Sequence, residues 1–258
     1  MRLRRFAIAA ATVAVAVALA GCGAGTSAPR AAPVHHHHHH QRPQRTEQPA
    51  VAPPVDVPAS TEVAATNGAI PGYPAPGQPS NMTVPASWYG YPSILPVVAT
   101  QPGWLEVRLA QRPNGSTTWV QSSGVTLSTT PYAIVIDLST EHLTVYQGGV
   151  QIYDFPAGIG TPDDPTPTGN YFMTMKVPPP SPAYGAFVLA TSDHSDSITD
   201  WENSGDAIIG IHGPITSYDD SLIGTTGAAI SHGCVRLHDA DLALLTNIPP
   251  GTPINVIS

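Results

Sequence analysis

"IHGPITSYDDSLIGTTGAAISHGCVRL" runs from Ile211 to Leu237. It holds Cys234, the only cysteine of the chain beyond Cys22. A reactive thiol needs thiolate character, a base within reach and an orienting partner for that base. It also needs backbone N–H groups aimed at a developing oxyanion. Gly233 precedes the thiol and permits a tight turn. Such a turn directs the N–H groups of His232, Gly233 and Cys234 to one side as an oxyanion hole. His212 ends the apolar run Ala207–Ile211 and is followed by Gly213 and Pro214. A polar residue where a strand opens into a loop is held rigidly, which suits a general base. His232 is too near the thiol along the chain for good base geometry and is expected to brace the loop. His194 and His238 read as structural. Arg236, a cation two residues from the thiol, is one of two basic residues after Ser128, the other being Lys176.

Outward from this stretch, Ala133–Leu138, Leu143–Tyr146 and Val150–Phe155 read as strands. Further strands are expected at Tyr171–Val177, Ala186–Thr191, Ala207–Ile211 and Thr252–Ile257. A helix follows Asp239, its expected cap, and stops before Pro249-Pro250-Gly251. Short strands, frequent Gly and Pro turns and one late helix describe a mainly β domain over residues 131–258. Upstream, Trp88, Trp104 and Trp119 accompany short alternating runs, and Pro113-Asn114-Gly115 marks a hairpin. A small β subdomain is therefore expected over 83–130, packed on the next domain because it is near the lower size for folding alone.

Residues 23–82 are rich in Ala, Pro, Gly, Ser and Thr, with few large apolar residues. This composition reads as a disordered tether from residue 22 to 82, about 45 Å long as a flexible coil. His35–His40 is a run of six histidines, natural or an appended tag, that binds metals adventitiously. Met1–Arg5 carries three arginines, and the apolar run Phe6–Ala20 follows. That pattern is a signal peptide over 1–21, and its exit Leu19-Ala20-Gly21-Cys22 resembles a bacterial lipobox. The resemblance implies cleavage before Cys22 and lipid on its sulfur, hence a membrane attachment. Cys234 then has no disulfide partner, and an unpaired thiol outside the cell calls for a reason. The formal charge is −8. Loss of Arg2, Arg4 and Arg5 takes ten basic residues to seven against 18 acidic ones, near −11. Such a balance excludes a nucleic-acid footprint.

Taken together, Ile211–Leu237 resembles the signature of the L,D-transpeptidases, the YkuD-like catalytic domain: a His-Gly, a loop, then Ser-His-Gly-Cys. "GIGTPDDPTPTGNYF" (Gly158–Phe172) resembles that family's upstream Thr-Pro-Thr-Gly segment. "GWLEVRLAQRPNGSTTWVQSSGVTL" (Gly103–Leu127) resembles the SH3-like module that precedes the catalytic domain in some cell-wall enzymes. The implied fold is an L,D-transpeptidase-type β-sandwich with one or two short helices, behind a small SH3-like subdomain and a tether.

By that resemblance Cys234 is the nucleophile, His212 the general base, and the Gly213 carbonyl orients the imidazole. His232, Gly233 and Cys234 supply oxyanion N–H groups, and Ser231 positions substrate. Arg236 anchors a substrate carboxylate or favours the thiolate, and Tyr218 on the intervening loop contributes to substrate binding. The implied reaction links third-position diamino residues of two peptidoglycan stem peptides through a thioester, with no cofactor or metal. Carbapenems are the implied inhibitors. The implied location is the outer face of the cell membrane, within the cell wall or periplasm. Three alternatives stay open: water as acceptor, a protein lysine as acceptor, and a non-catalytic wall-binding lipoprotein. A zinc site from His212, His232, Cys234 and His238 has acceptable ligand types but lacks paired spacing.

Overall fold

Alternation of period two builds the first sheet. In Trp104–Arg108 the side chains of Leu105 and Val107 are buried, and those between them are only partly covered. A computed structural model describes residues 56–258. The expected signal peptide at 1–21, the lipidation site Cys22 and the tether as far as residue 55 lie outside the described residues.

The N-terminal strands are β1 (Thr61–Thr66), β2 (Ile70–Gly72), β3 (Met82–Val84), β4 (Ser87–Trp88), β5 (Tyr91–Pro92), β6 (Ile94–Gln101), β7 (Trp104–Arg108), β8 (Thr117–Gln121) and β9 (Val125–Thr130). Five of them form an antiparallel sheet in the order β8-β7-β6-β1-β9. The other four pair as β2 with β3 and β4 with β5. The tether therefore does not extend to residue 82, and the subdomain does not begin at 83. β1 lies inside the sheet, between β6 and β9, with Val63 and Ala64 buried. Its sequence, Thr-Glu-Val-Ala-Ala-Thr, hides the strand because its side chains are mostly small. Tertiary packing, not local hydrophobicity, recruits it.

The second group comprises β10 (Tyr132–Asp137), β11 (His142–Gln147), β12 (Val150–Pro156), β13 (Ile159–Gly160), β14 (Gly169–Val177), β15 (Val188–His194), β16 (Ile208–His212), α1 (Ser217–Leu222), β17 (Ala229–Ser231), β18 (Val235–Arg236), α2 (Asp239–Leu244) and β19 (Pro253–Ile257). The molecule is mainly β. Eight strands form one sheet in the order β12-β11-β10-β19-β14-β15-β16-β18. β10–β19 and β16–β18 are parallel and the rest antiparallel. The continuous apolar run Ala133–Ile136 is buried throughout, as a central strand covered on both faces requires. The two ends of the sheet meet: Gly158, just beyond β12, exchanges two 2.8 Å backbone hydrogen bonds with Arg236 of β18. β13 also pairs with β17. The turn that carries Cys234 lies between β17 and β18, at this seam.

α2 starts at Asp239, but the residue in the capping position is His238, which makes no side-chain cap bond. Asp239 is thus the first helical residue and not the cap. Leu242, Leu245 and Ile248 close the core of the large sheet.

The two sheets share a boundary. Phe172 of β14 is 1% exposed and packs in the core of the N-terminal sheet with Leu95, Leu105, Val107 and Val120. Burying such a ring contributes about 1.5–3 kcal/mol. Thr130 and Thr252 face each other through their hydroxyls at 3.3 Å. Among the described residues, no helix is long and apolar enough to cross a membrane.

Candidate active site

β16 and β18 run parallel with Ile211 opposite Val235 and His212 opposite Arg236. That register carries Cys234 toward Gly210, whose N–H points at the Cys234 sulfur at 3.4 Å. Residues two apart on a strand share a face. The imidazole and the thiol are therefore set out from neighbouring segments of one sheet.

His212 is 2% exposed. Its Nδ1–H donates to the Gly213 carbonyl at 2.7 Å, which leaves Nε2 as the acceptor. Burial pulls the imidazole pKa down to about 4, against the Gly213 hydrogen bond and with help from the Arg236 charge. The ring is neutral at pH 7. Tyr184 lies against it, centroids 4.7 Å apart, and its carbonyl accepts the Gly213 N–H at 2.8 Å. Gly213 fits because a Cβ there would come within 2.5 Å of Asp239 Oδ1.

Cys234 is half-buried. Burial raises its thiol pKa above the ordinary range, while the Gly210 N–H and Arg236 oppose that shift and Asp193 adds to it. At rest the thiol and the imidazole are thus both neutral. Proton transfer must accompany bond formation, as in general-base catalysis.

Gly233 has φ +108, and a Cβ there would lie 2.7 Å from Ile209 Cδ1. Conformation and space both demand glycine. The turn is stapled from within. Ser231 Oγ donates to the Cys234 carbonyl at 2.6 Å and accepts the Gly233 N–H at 3.1 Å. Ser231 is 2% exposed. Its hydroxyl holds the turn and is not presented to a substrate. The Gly233 N–H is likewise taken, which removes it from the expected oxyanion set. The N–H groups of His232 and Cys234 have no acceptor among the described residues.

Arg236 is 8% exposed, and its Nη1 pairs with Asp219 Oδ2 at 2.9 Å. In this state its charge is matched within the protein, not held out to a carboxylate. Asp219 lies on α1, whose first turn is capped by Thr216: its Oγ1 accepts the Asp219 N–H at 3.0 Å. His238 Nδ1 meets Asp220 Oδ1 at 2.6 Å. Two polar ties thus fasten α1 over the segment that follows the thiol. Tyr218 is 70% exposed on α1, and its hydroxyl makes no hydrogen bond among the described residues. The structure does not bring it to the thiol. His232 stands on the rim, against Trp201 at 5.3 Å between centroids and 3.9 Å from Asp164. The four residues of the zinc alternative do not converge: His212 and His238 are turned to Gly213 and Asp220. Among the described residues no three potential ligands cluster.

Three residues escape sequence reasoning. Thr166, in the Thr-Pro-Thr-Gly segment, donates to the Gly233 carbonyl at 2.7 Å and accepts the Gly160 N–H at 2.9 Å. Its motif was a usable signal. Tyr184, in a Pro-rich loop, had none. Asp193 is 2% exposed, and burial pushes its carboxyl pKa up to about 8. It sits in a strand expected to end at Thr191, so nothing local marked it.

Comparison with known proteins concerns mainly the second group of strands. Residues 131–256 match the family model for YkuD, the L,D-transpeptidase catalytic domain. The YkuD protein of Bacillus licheniformis is 29% identical over 129 residues, covering 50% of this chain and 67% of that protein. An L,D-transpeptidase from Mycobacterium smegmatis is 18% identical with a TM-score of 0.40, covering 64% of this chain and 82% of that one. The LD transpeptidase LdtMt1 in complex with imipenem is 17% identical with a TM-score of 0.39, covering 78% and 100%. Residues 131–256 of this chain belong to the YkuD family of L,D-transpeptidase catalytic domains.

Proposed function

We propose that this protein is a peptidoglycan L,D-transpeptidase that works through a thioester on Cys234. The observation that carries the reading is the orientation of His212. Its Nδ1 is committed to Gly213, so Nε2 is the ring nitrogen left to take a proton from Cys234 in this reading.

In this reading the Cys234 sulfur attacks the carbonyl between the third, diamino residue of a stem peptide and its terminal D-alanine. The thiol proton passes to His212 Nε2. The N–H groups of His232 and Cys234 stabilise the oxyanion. Collapse breaks the C–N bond, His212 returns the proton to the departing amine, and D-alanine leaves. A side-chain amine of a second stem then attacks the thioester and loses a proton to His212. The sulfur leaves as thiolate and recovers that proton. The product joins two third-position residues. Carbapenems are expected to acylate the same sulfur.

The signal and lipobox-like stretch of residues 1–22 support a lipid-anchored enzyme on the outer face of the cell membrane. A tether between anchor and domain raises the effective concentration of the site near a polymeric substrate.

The test is incubation of the soluble form, starting after Cys22, with a purified tetrapeptide stem, products followed by mass, and Cys234→Ala alongside. A cross-linked dimer absent from the variant supports transpeptidation. Free D-alanine with tripeptide alone assigns water as the acceptor. No thioester and no product from a folded protein would sink the reading.

A further inference from the structure

We infer that Arg112 and Asn114, at the tip of the β7–β8 hairpin of the N-terminal sheet, are positioning residues for the Cys234 site. The hairpin reaches across the boundary and grips the other domain at two points. Asn114 brackets the backbone of one residue, His194. Its Oδ1 accepts the His194 N–H at 2.9 Å, and its Nδ2 donates to the His194 carbonyl at 2.7 Å. The same Nδ2 lies 3.2 Å from Asp193 Oδ1. Arg112 Nε pairs with Asp206 Oδ1 at 3.1 Å, and its Nη2 donates to the Ile198 carbonyl at 3.1 Å.

These contacts seize both ends of the loop between β15 and β16. His194 Nδ1 lies 2.8 Å from Asp206 Oδ2, so the same two ends also approach each other from inside. The body of the loop forms one rim of the thiol turn. Trp201 lies on His232, and Ser197 donates to Asp164 at 2.9 Å. Asp164 belongs to the segment whose Thr166 holds the Gly233 carbonyl. The hairpin tip therefore acts on Cys234 through two loops without touching it. A hairpin that only packed on its neighbour would have no reason to offer five directed polar contacts to this loop and the strand end that leads into it. Phe172 already supplies the apolar contact between the domains.

The inference rests on Cys234 as the reacting thiol, and its test needs no acyl donor, so it can fail or stand separately from the proposed reaction. In the full chain, Arg112→Ala, Asn114→Ala and Arg112→Lys are compared with the parent. Alkylation of Cys234 by iodoacetamide is followed across pH by peptide mapping, which keeps Cys22 out of the signal. Hydrogen exchange is mapped in parallel. The alanine variants are expected to exchange about tenfold faster within residues 195–207, with β10 and β11 unchanged. Their Cys234 alkylation profile is expected to shift in rate and apparent pKa, and Arg112→Lys, which keeps the Asp206 pair, to restore part of it. An unchanged profile and unchanged exchange in that loop would overturn the inference. So would a uniform loss of protection across both sheets, which would make the tip a packing contact only.

Discussion

The two segments that flank the thiol turn are held by different forces. On the strand side, His212 is fixed by parallel pairing with β18, by the Gly213 carbonyl and by Tyr184. All of these are backbone or packing constraints, insensitive to charge. On the lid side, residues 214–230 carry α1, whose side chains include none that is fully buried. The ties from α1 to the segment beyond the thiol are the Arg236–Asp219 and His238–Asp220 pairs. The imidazole is thus placed where the sheet fixes it. α1 is held where charge and solvent can change its placement.

The sharpest way to break this comparison is Gly233→Ala. The strained φ and the contact with Ile209 together cost about 1–3 kcal/mol. Displacement of the adjacent sulfur is expected to lower Cys234 reactivity about 100-fold. The alkylation rate checks this, and a near-parental rate would show that the turn is not set from the strand side. Asp219→Asn attacks the lid instead. Arg236 would keep its buried charge and lose its anion, a cost of about 1–3 kcal/mol given the partial exposure of Asp219. Limited proteolysis within 214–230 should accelerate. The thiol pKa should fall, because the Arg236 charge that favours the thiolate is no longer offset. Unaltered proteolysis would mean that the ion pair does not hold the lid.

A third comparison is in the pH dependence of stability. His212 has a folded pKa of about 4 against about 6.5 in the unfolded chain. Between these values the unfolded chain binds more protons, so stability is lost as pH falls from about 6.5 to about 4. Asp193 has the opposite sign. Its folded pKa of about 8 exceeds the unfolded value near 3.9, so the folded protein holds the extra proton and stability declines as pH rises toward 8. Above about 6.5 the Asp193 contribution stands clear of the His212 one. Asp193→Asn should flatten that decline, as denaturant midpoints at pH 6.5 and 8 would report. A decline of the parental size in the variant would assign it to another group.

Much of the large sheet was legible because its strands carry either an apolar run, as in Ala133–Ile136, or a turn signal, as at Gly148-Gly149. β1 was not, because Val63 and two alanines bury little area by themselves. β17 and β18 were not, because segments of two or three residues have no period to read. Their pairing is made by Gly158, Ile159 and His212, far away in the chain. The short α1 escaped for the same reason, although Thr216 and Asp219 stand at capping distance.

The sequence by itself determined the residue types at the site: a thiol after a glycine, a histidine closing a strand, and a family signature around them. Those features depend on a few neighbouring residues, where backbone preference and spacing act directly. Only the tertiary structure decided that Ser231 occupies the Gly233 N–H, that Asp219 occupies Arg236, and that Asn114 reaches the strand behind the thiol. A hydrogen-bonding group takes the partner that folding brings within about 3 Å. For Asn114 and His194 that partner lies 80 residues away, and only the register of the sheets and the docking of the hairpin bring the two together.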